Sequence, residues 1–415
     1  MSRRPGSAAP VHSLAQTPSI TSGTRRDLRI PFARVDCSGN EVEYVRQVLA
    51  SGWLTTASRT RELEQRFGAY VDARHALAVN SCTSGLHLAL DALGVTLGDR
   101  VFVPSMTFTA SAEVIRYLGA EPVVLDVDYE TSSLSVEILQ RAIAAHPNVK
   151  TLVGVHFGGR AMPMIGGLVD LCRHAGVRIL EDAAHALPTR DKGRLVGTFG
   201  DITCFSFYAN KTMTTGEGGM VTTENDEYAE RIRLMRLHGI NRDVWDRFQS
   251  VKPSWEYDVV APGYKYNMPD LNAAVGLAQF ERLDEMHRER MRCARRYLDR
   301  LASMELLRLP PVPEPFEDSS WHLFPIRVRP EASLSRNEII ERLAARGIGT
   351  SVHYKPIHRL SYYRDRYTLD ASAFPGAEAL WQQTISLPIY NLLTDREIDF
   401  ICDALADVLH QNVEE

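Results

Sequence analysis

Residues 204–220 read C-F-S-F-Y-A-N-K-T-M-T-T-G-E-G-G-M and place one lysine, Lys211, among Phe205, Phe207, Tyr208 and Met213, with no second basic residue in the run. A lysine ordinarily carries its charge in water at the end of a flexible stem. Crowded by apolar groups, it loses proton affinity and becomes a usable amine nucleophile. A lysine at a strand end beside a glycine turn would look the same. The stretch alone leaves both readings open, and the rest of the chain has to separate them.

Upstream of this run the pattern alternates strand and helix. V-F-V-P (101–104) is followed by a predicted helix at 109–118, the strand P-V-V-L-D-V-D, a helix at 136–145, the strand T-L-V-G-V-H-F, a helix through M-I-G-G-L-V-D-L-C-R-H-A-G, and the strand V-R-I-L-E-D. Such alternation predicts an α/β fold with a mostly parallel sheet covered on both faces. The apolar-rich runs 123–125 and 177–180 suit strands buried on both sides. In sheets of this kind ligands gather at the carboxyl ends of the strands. Asn80, Phe108, Asp182 and His185 fall at or just past such ends.

The flanks fill in the organisation. Residues 1–27 lack hydrophobic period and are rich in Ser, Pro and Arg, which predicts a mobile tail. Helices are expected at about 41–51, with an apolar stripe of Val42, Val45, Val48 and Leu49, at 59–70, and at 85–93 after a strand ending at Asn80. Residues 238–268 form a long irregular segment rich in Trp, Tyr and Pro, of the kind that is functional or interfacial. One helix is expected to run from about 271 through 301. The composition shifts at L-P-P-V-P-E-P (309–315), so a large domain 28–308 and a small C-terminal α+β domain 309–415 are expected. The small domain has strands at W-H-L-F-P-I-R-V and G-T-S-V-H-Y and helices near 336–346, 374–383 and 395–410.

Bulk properties exclude several classes. The 415 residues carry 47 Lys and Arg against 52 Asp and Glu, a formal charge of −5, which argues against a protein devoted to nucleic acid or anionic membrane. The six cysteines form no C-x-x-C pair, so no zinc framework is expected and reduced thiols in a cytoplasmic protein are. No apolar run approaches a membrane span.

Four features converge on one chemistry. Lys211 is a candidate Schiff-base amine. Asp182, ending a buried strand in E-D-A-A-H-A, is placed to keep a pyridine nitrogen protonated, although an aspartate there is also a common helix cap. Residues 81–84 put hydroxyls at a helix start, where an anion is favoured and where an ordinary cap would look alike. Phe108 offers a flat face for stacking, or simple core packing.

With these motifs in order, the chain resembles the DegT/StrS family of sugar aminotransferases, which use pyridoxal 5'-phosphate on the fold type I scaffold. The resemblance runs from about residue 30 to the C-terminus. It rests on S-G-W-L-T, N-S-C-T-S-G-L-H-L-A-L, P-S-M-T-F, E-D-A-A-H-A, the Lys211 run, G-Y-K-Y-N-M-P-D-L-N-A-A and G-I-G-T-S-V-H-Y. It implies that Lys211 holds the cofactor covalently and later moves a proton, that Asp182 pairs with the pyridine nitrogen, that His185 lies beside the ring, and that Phe108 stacks on it. It further implies that the amides of Thr83 and Ser84 and the hydroxyl of Ser206 bind the phosphate. Asn267 would reach the phosphate of a neighbouring subunit, giving a homodimer with shared sites. A dehydrating relative carries histidine at the lysine position, whereas Lys211 is present here. Thr212 departs from the asparagine frequent after the lysine.

The implied reaction takes an amino group from L-glutamate and delivers it to a UDP- or dTDP-linked 4-keto sugar, either a pentose, as in aminoarabinose formation, or a 6-deoxyhexose. Arg160, His353, Tyr354 and His358 are the candidates for sugar or diphosphate contact. A keto-cyclitol acceptor, and a cofactor-binding regulator without turnover, are the alternatives. No metal is called for.

Overall fold

The computed structural model describes residues 28–241 and 257–410. The expected tail 1–27 and the middle of the irregular segment, 242–256, lie outside the described residues. Twelve strands occur in chain order among them: β1 His75–Val79, β2 Arg100–Pro104, β3 Glu121–Leu125, β4 Thr151–Val155, β5 Arg178–Asp182, β6 Arg190–Asp191, β7 Arg194–Leu195, β8 Ile202–Ser206, β9 Gly219–Thr223, β10 Leu307–Arg308, β11 Phe324–Val328 and β12 Thr384–Leu387.

Seven of them form the central sheet in the order β1-β9-β8-β5-β4-β2-β3. The pairs β3/β2, β2/β4, β4/β5 and β5/β8 are parallel, and β9 runs antiparallel to both β8 and β1. The expected mostly parallel sheet is therefore present, with one reversed strand. All of β4, and β5 from Ile179 onward, are buried. Helices cover both faces: Ser58–Val71 and Asp270–Glu281 on one, Cys82–Ala92 and Ala110–Tyr117 on the other.

Local chemistry shifts several expected boundaries. The helix expected from 85 begins at Cys82, because Ser81 is its cap and its Oγ accepts the Ser84 N–H at 3.1 Å. The helix expected across 164–175 is a wide turn at Met164–Leu168 followed by a helix at Val169–Ala175. Gly166 and Gly167 lie in that turn, and paired glycines have little helical preference. The single helix expected to 301 breaks at Arg282 into Asp270–Glu281 and Leu283–Leu301. There Arg282 Nη2 reaches Asp36 Oδ2 at 2.9 Å. On the first helix, Glu41–Ser51, the apolar stripe does not face the core: Val48 is buried, while Val42 and Leu49 are exposed.

A second core gathers around the antiparallel sheet β10-β11-β12. It draws on Ile30 and on Cys293, Tyr297 and Leu301 as well as on the C-terminal part. The small body thus includes chain preceding the composition shift at 309–315. Helix Leu283–Leu301 is held to Asp395–His410 by Arg296–Asp399 and Arg300–Asp403 pairs, each 2.6 Å, and by Arg292–Asp395. The four-residue spacing on both helices makes these a ladder. G-T-S-V-H-Y is not a strand. Gly349 N–H donates to the Ile30 carbonyl at 2.8 Å, Ser351 bridges Ser386, and the chain then turns toward the large sheet. Among the described residues no helix is long and apolar enough to cross a membrane, and no group of three or more His, Cys, Asp or Glu side chains is placed to hold a metal ion.

Candidate active site

The parallel strands deliver Val79, Pro104, Val155, Asp182 and Ser206 to one edge of the sheet, and β9 starts there with Gly219. Gly219 pairs in register with both Val79 and Ser206. A Cβ on it would lie 2.7 Å from the Phe205 carbonyl oxygen and 2.9 Å from the Cys82 amide nitrogen. Only glycine lets the lysine-bearing turn pass this close beneath the head of helix Cys82–Ala92.

Lys211 is half-buried at this edge, with its backbone N–H on the Tyr208 carbonyl at 3.0 Å. Burial lowers its proton affinity to about 8. The buried Arg290 guanidinium pushes in the same direction, and Cys82 and Asp182 oppose it. Lys211 is therefore partly neutral near physiological pH, as an amine nucleophile requires. The same shift has a stability consequence with a definite sign. Between about 8 and the ordinary lysine value of 10.5 the unfolded chain holds a proton that the folded chain has released, so raising the pH favours the fold. Cofactor-free protein should gain stability across that window relative to its Lys211→Met variant, as read by urea melts at several pH values. Parallel curves would show that Lys211 is not desolvated.

Asp182 is buried at the end of β5. Its Oδ1 accepts the Ala184 N–H at 3.1 Å and its Oδ2 the Ser111 hydroxyl at 2.7 Å. The neighbouring Glu181 points to the other side of the strand and is fully enclosed. It accepts from Phe199 N–H (3.1 Å), Gly200 N–H (2.6 Å), Thr203 Oγ1 (2.8 Å) and His156 Nε2 (2.8 Å). His156 Nδ1 accepts the Met162 N–H at 3.1 Å, which leaves Nε2 as the donor to Glu181.

His185 is buried beside this edge. Its Nδ1 accepts the Gly158 N–H at 3.3 Å and its Nε2 lies 2.9 Å from the Tyr354 hydroxyl. The backbone donor makes Nδ1 an acceptor, so Nε2 carries the hydrogen and donates to Tyr354. Burial, with Lys211 and His353 nearby, keeps His185 well below the usual histidine range and neutral. Tyr354 comes from the small body, and its ring lies 5.8 Å from that of Phe108. Phe108 is 57% exposed, so its face is open to a flat ring. His353 bonds Ser386 Oγ at 2.9 Å through Nδ1 and is pushed down to about 4 by burial, with Lys211 adding to the effect.

The helix head is partly occupied by its own cap. Ser84 N–H donates to Ser81 Oγ, and Ser84 Oγ donates to Asn80 Oδ1 at 2.7 Å, so an anion would compete with Ser81 for the Ser84 amide. Thr83 is half-buried in the same turn. Ser206 Oγ accepts the Tyr208 N–H at 3.3 Å and keeps its own hydrogen to donate. Asn267 bridges Val79 at the free edge of β1. Its Nδ2 donates to Thr56 Oγ1 at 2.6 Å, and its buried Oδ1 has no partner among the described residues.

Two candidates for substrate contact have partners within the chain. His358 is 1% exposed, with Nδ1 at 2.6 Å from Ser105 Oγ and Nε2 at 2.6 Å from Glu378, and its ring stacks on Phe374 at 4.3 Å. With both nitrogens engaged it ties the two bodies together and has none left for a substrate. Arg160 lies beyond the Gly158-Gly159 turn. It lines a cavity with Arg327, Pro310 and Trp321 and donates to the Thr131 carbonyl. Its charged neighbours are Arg327 and Asp128.

Sequence reading missed His322, Arg290 and Ser111. His322 is buried with its ring centroid 4.4 Å from that of His185, and its Nδ1 has no partner among the described residues. Arg290 is buried, donates to the Ile389 carbonyl at 3.0 Å and leaves Nε unpartnered. His322 sits in the W-H-L-F-P-I-R-V run, whose pattern gives only a strand, and Arg290 sits in no motif. Ser111 lies four residues past Thr107 in T-F-T-A-S, in the first turn of helix Ala110–Tyr117, with Thr107 in the loop before it.

The donor set fits pyridoxal phosphate: an amine of lowered proton affinity, a buried carboxylate for a ring nitrogen, hydroxyls at a helix head for a phosphate, and an open aromatic face. Together with the sheet it defines the class of pyridoxal phosphate-dependent aminotransferases, and comparison with known proteins agrees. The chain belongs to the DegT/DnrJ/EryC1/StrS aminotransferase family, whose model matches residues 36–406. It is 39% identical over 387 residues to the spore coat polysaccharide biosynthesis protein SpsC of Bacillus subtilis, covering 93% of this chain and 98% of that protein. Spr1654 from Streptococcus pneumoniae, solved in PLP- and PMP-forms, superposes with TM-scores of 0.82 and 0.83 at 33% identity, the PLP-form covering 92% of this chain and 98% of its own. Helicobacter pylori PseC, an aminotransferase involved in the biosynthesis of pseudoaminic acid, superposes with a TM-score of 0.84 at 25% identity over 92% of this chain and 99% of its own.

Proposed function

We propose that the protein transfers the amino group of L-glutamate to a nucleotide-linked 4-keto sugar, pentose or 6-deoxyhexose. The observation that carries the amino transfer is the convergence of Lys211 and Asp182 at neighbouring strand ends, the one with lowered proton affinity and the other fixed by two donors. The sugar acceptor is supported by the relatives. SpsC serves polysaccharide biosynthesis, and Spr1654 is provisionally described as a sugar aminotransferase.

Bound pyridoxal phosphate supplies an electron sink for breaking a C–H bond next to nitrogen. The protein supplies the rest. Lys211 Nζ takes the proton as a base and returns it as an acid, a role suited to a group whose affinity is near the working pH. Asp182 holds a proton on the ring nitrogen. Tyr354, accepting from His185 Nε2, keeps its own hydroxyl hydrogen to donate into the cleft. Thr83, Ser84 and Ser206 would hold the phosphate, and Phe108 would stack on the ring.

A homodimer with shared sites goes with this reading. Asn267 lies on the free edge of β1, beside a groove of about 210 Å³ that Lys265 and Arg233 also line. Val42, Leu49 and Tyr208 are exposed apolar groups suited to burial against a second copy. Incubating the protein with glutamate and a panel of UDP- and dTDP-linked 4-keto sugars, with mass detection, should give one amine product. Amine from a keto-cyclitol and none from any sugar would replace the acceptor, and light scattering that reports a monomer would remove the shared site.

A further inference from the structure

The run T-F-T-A-S brings more than Phe108 to the site. Thr107 Oγ1 lies 2.7 Å from Ser111 Oγ, and Ser111 Oγ lies 2.7 Å from Asp182 Oδ2. Thr107 is 1% exposed and Ser111 0%, so no water competes for these hydrogens. An ionised carboxylate only accepts hydrogen bonds. Ser111 therefore gives its single hydrogen to Asp182, and Thr107 gives its hydrogen to Ser111. The order of donors admits no reversal while Asp182 is charged.

We propose that Thr107 and Ser111 are positioning residues, a one-way hydroxyl relay that holds the Asp182 carboxylate charged and aimed for the ring nitrogen of the cofactor. The proposal rests on the reading of Asp182 as that nitrogen's partner.

The relay has work to do because burial pushes the Asp182 carboxyl toward its neutral form. Ser111 is the foremost group opposing this, ahead of the Ala184 N–H, Lys211 and His156. The other titratable groups facing Asp182 are the Cys82 and Cys204 thiols and the Tyr354 hydroxyl, which the Asp182 charge disfavours ionising in turn. A neutral carboxyl would donate to Ser111 or to the ring nitrogen and would no longer keep a proton on that nitrogen. Hydrogen bonds to a charged acceptor are the strong kind, and a second hydroxyl behind the first strengthens it.

The relay is tested by titrating cofactor-free protein with pyridoxal phosphate and following binding by its absorbance. Ser111→Ala should raise the dissociation constant about tenfold, the scale of a hydrogen bond to a charged group. Thr107→Val, which keeps the shape and removes the hydroxyl, should raise it about threefold, and Thr107→Ser should recover most of that loss. In an Asp182→Ala background Ser111→Ala should add less than about twofold, since its acceptor is gone. An equal rise in both backgrounds would mean that Ser111 acts by packing and would overturn the relay. If Asp182→Ala weakens binding while Ser111→Ala and Thr107→Val do not, the relay falls and the role of Asp182 stands. If Asp182→Ala binds like wild type, both fall. Should Ser111→Ala fail to fold, the comparison of Thr107→Val with Thr107→Ser decides alone.

Discussion

Replacing Lys211 by Ala yields a folded protein that forms no covalent link to pyridoxal phosphate and whose turnover falls by at least about 10⁴-fold, the upper range for a lost acid–base group, because the same side chain also holds the cofactor. The fold should survive, since shedding a desolvated amine removes a cost as well as a group. Absorbance, a glutamate half-reaction and a melting curve measured on one preparation check all three statements. Normal turnover by Lys211→Ala protein would end the assignment of the amine.

The second large effect is on stability. Glu181 has no exposed surface and accepts four hydrogen bonds, from two backbone amides, Thr203 and His156. Glu181→Ala strands all four donors in the interior, and the expected loss is about 3–5 kcal/mol, the usual result of removing one partner from a buried polar pair. Glu181→Gln retains an acceptor oxygen and should lose less. Urea unfolding of the cofactor-free protein measures both. A Glu181→Ala protein as stable as wild type would show that the network rearranges at no cost. Glu181 adjoins Asp182 on β5, so the residue that secures the strand and the residue that faces the cleft are consecutive and point to opposite sides.

The sequence made the large sheet legible because buried parallel strands leave apolar-rich runs. The run at 177–180 leads into β5, buried from Ile179 onward, whereas in the run 123–125 Val124 is half-buried because β3 is an edge strand. Lys211, Asp182 and the hydroxyls of residues 81–84 could be singled out because each belongs to a short local motif. His185 and Tyr354 were singled out separately, but that they bond each other depends on how the two bodies pack, which no local pattern records. His358 was a candidate for sugar contact, and only the packing of the two bodies shows Ser105 and Glu378 on its two nitrogens. The apolar face of helix Glu41–Ser51 has the right period for a core helix, yet period says nothing about whether the covering surface comes from the same chain.

The pairing of Ile30 with Gly347 and Gly349 sets an order of assembly during synthesis. All seven strands of the large sheet have left the ribosome by Thr223, together with Lys211, Asp182 and the helix head. The second core cannot close then, because Ile30 waits for partners made roughly three hundred residues later, a closure of very high contact order. Tyr354 and His353 arrive with those late partners. A nascent chain therefore passes through a stage in which the groups for the cofactor exist and the cleft over them has no second wall.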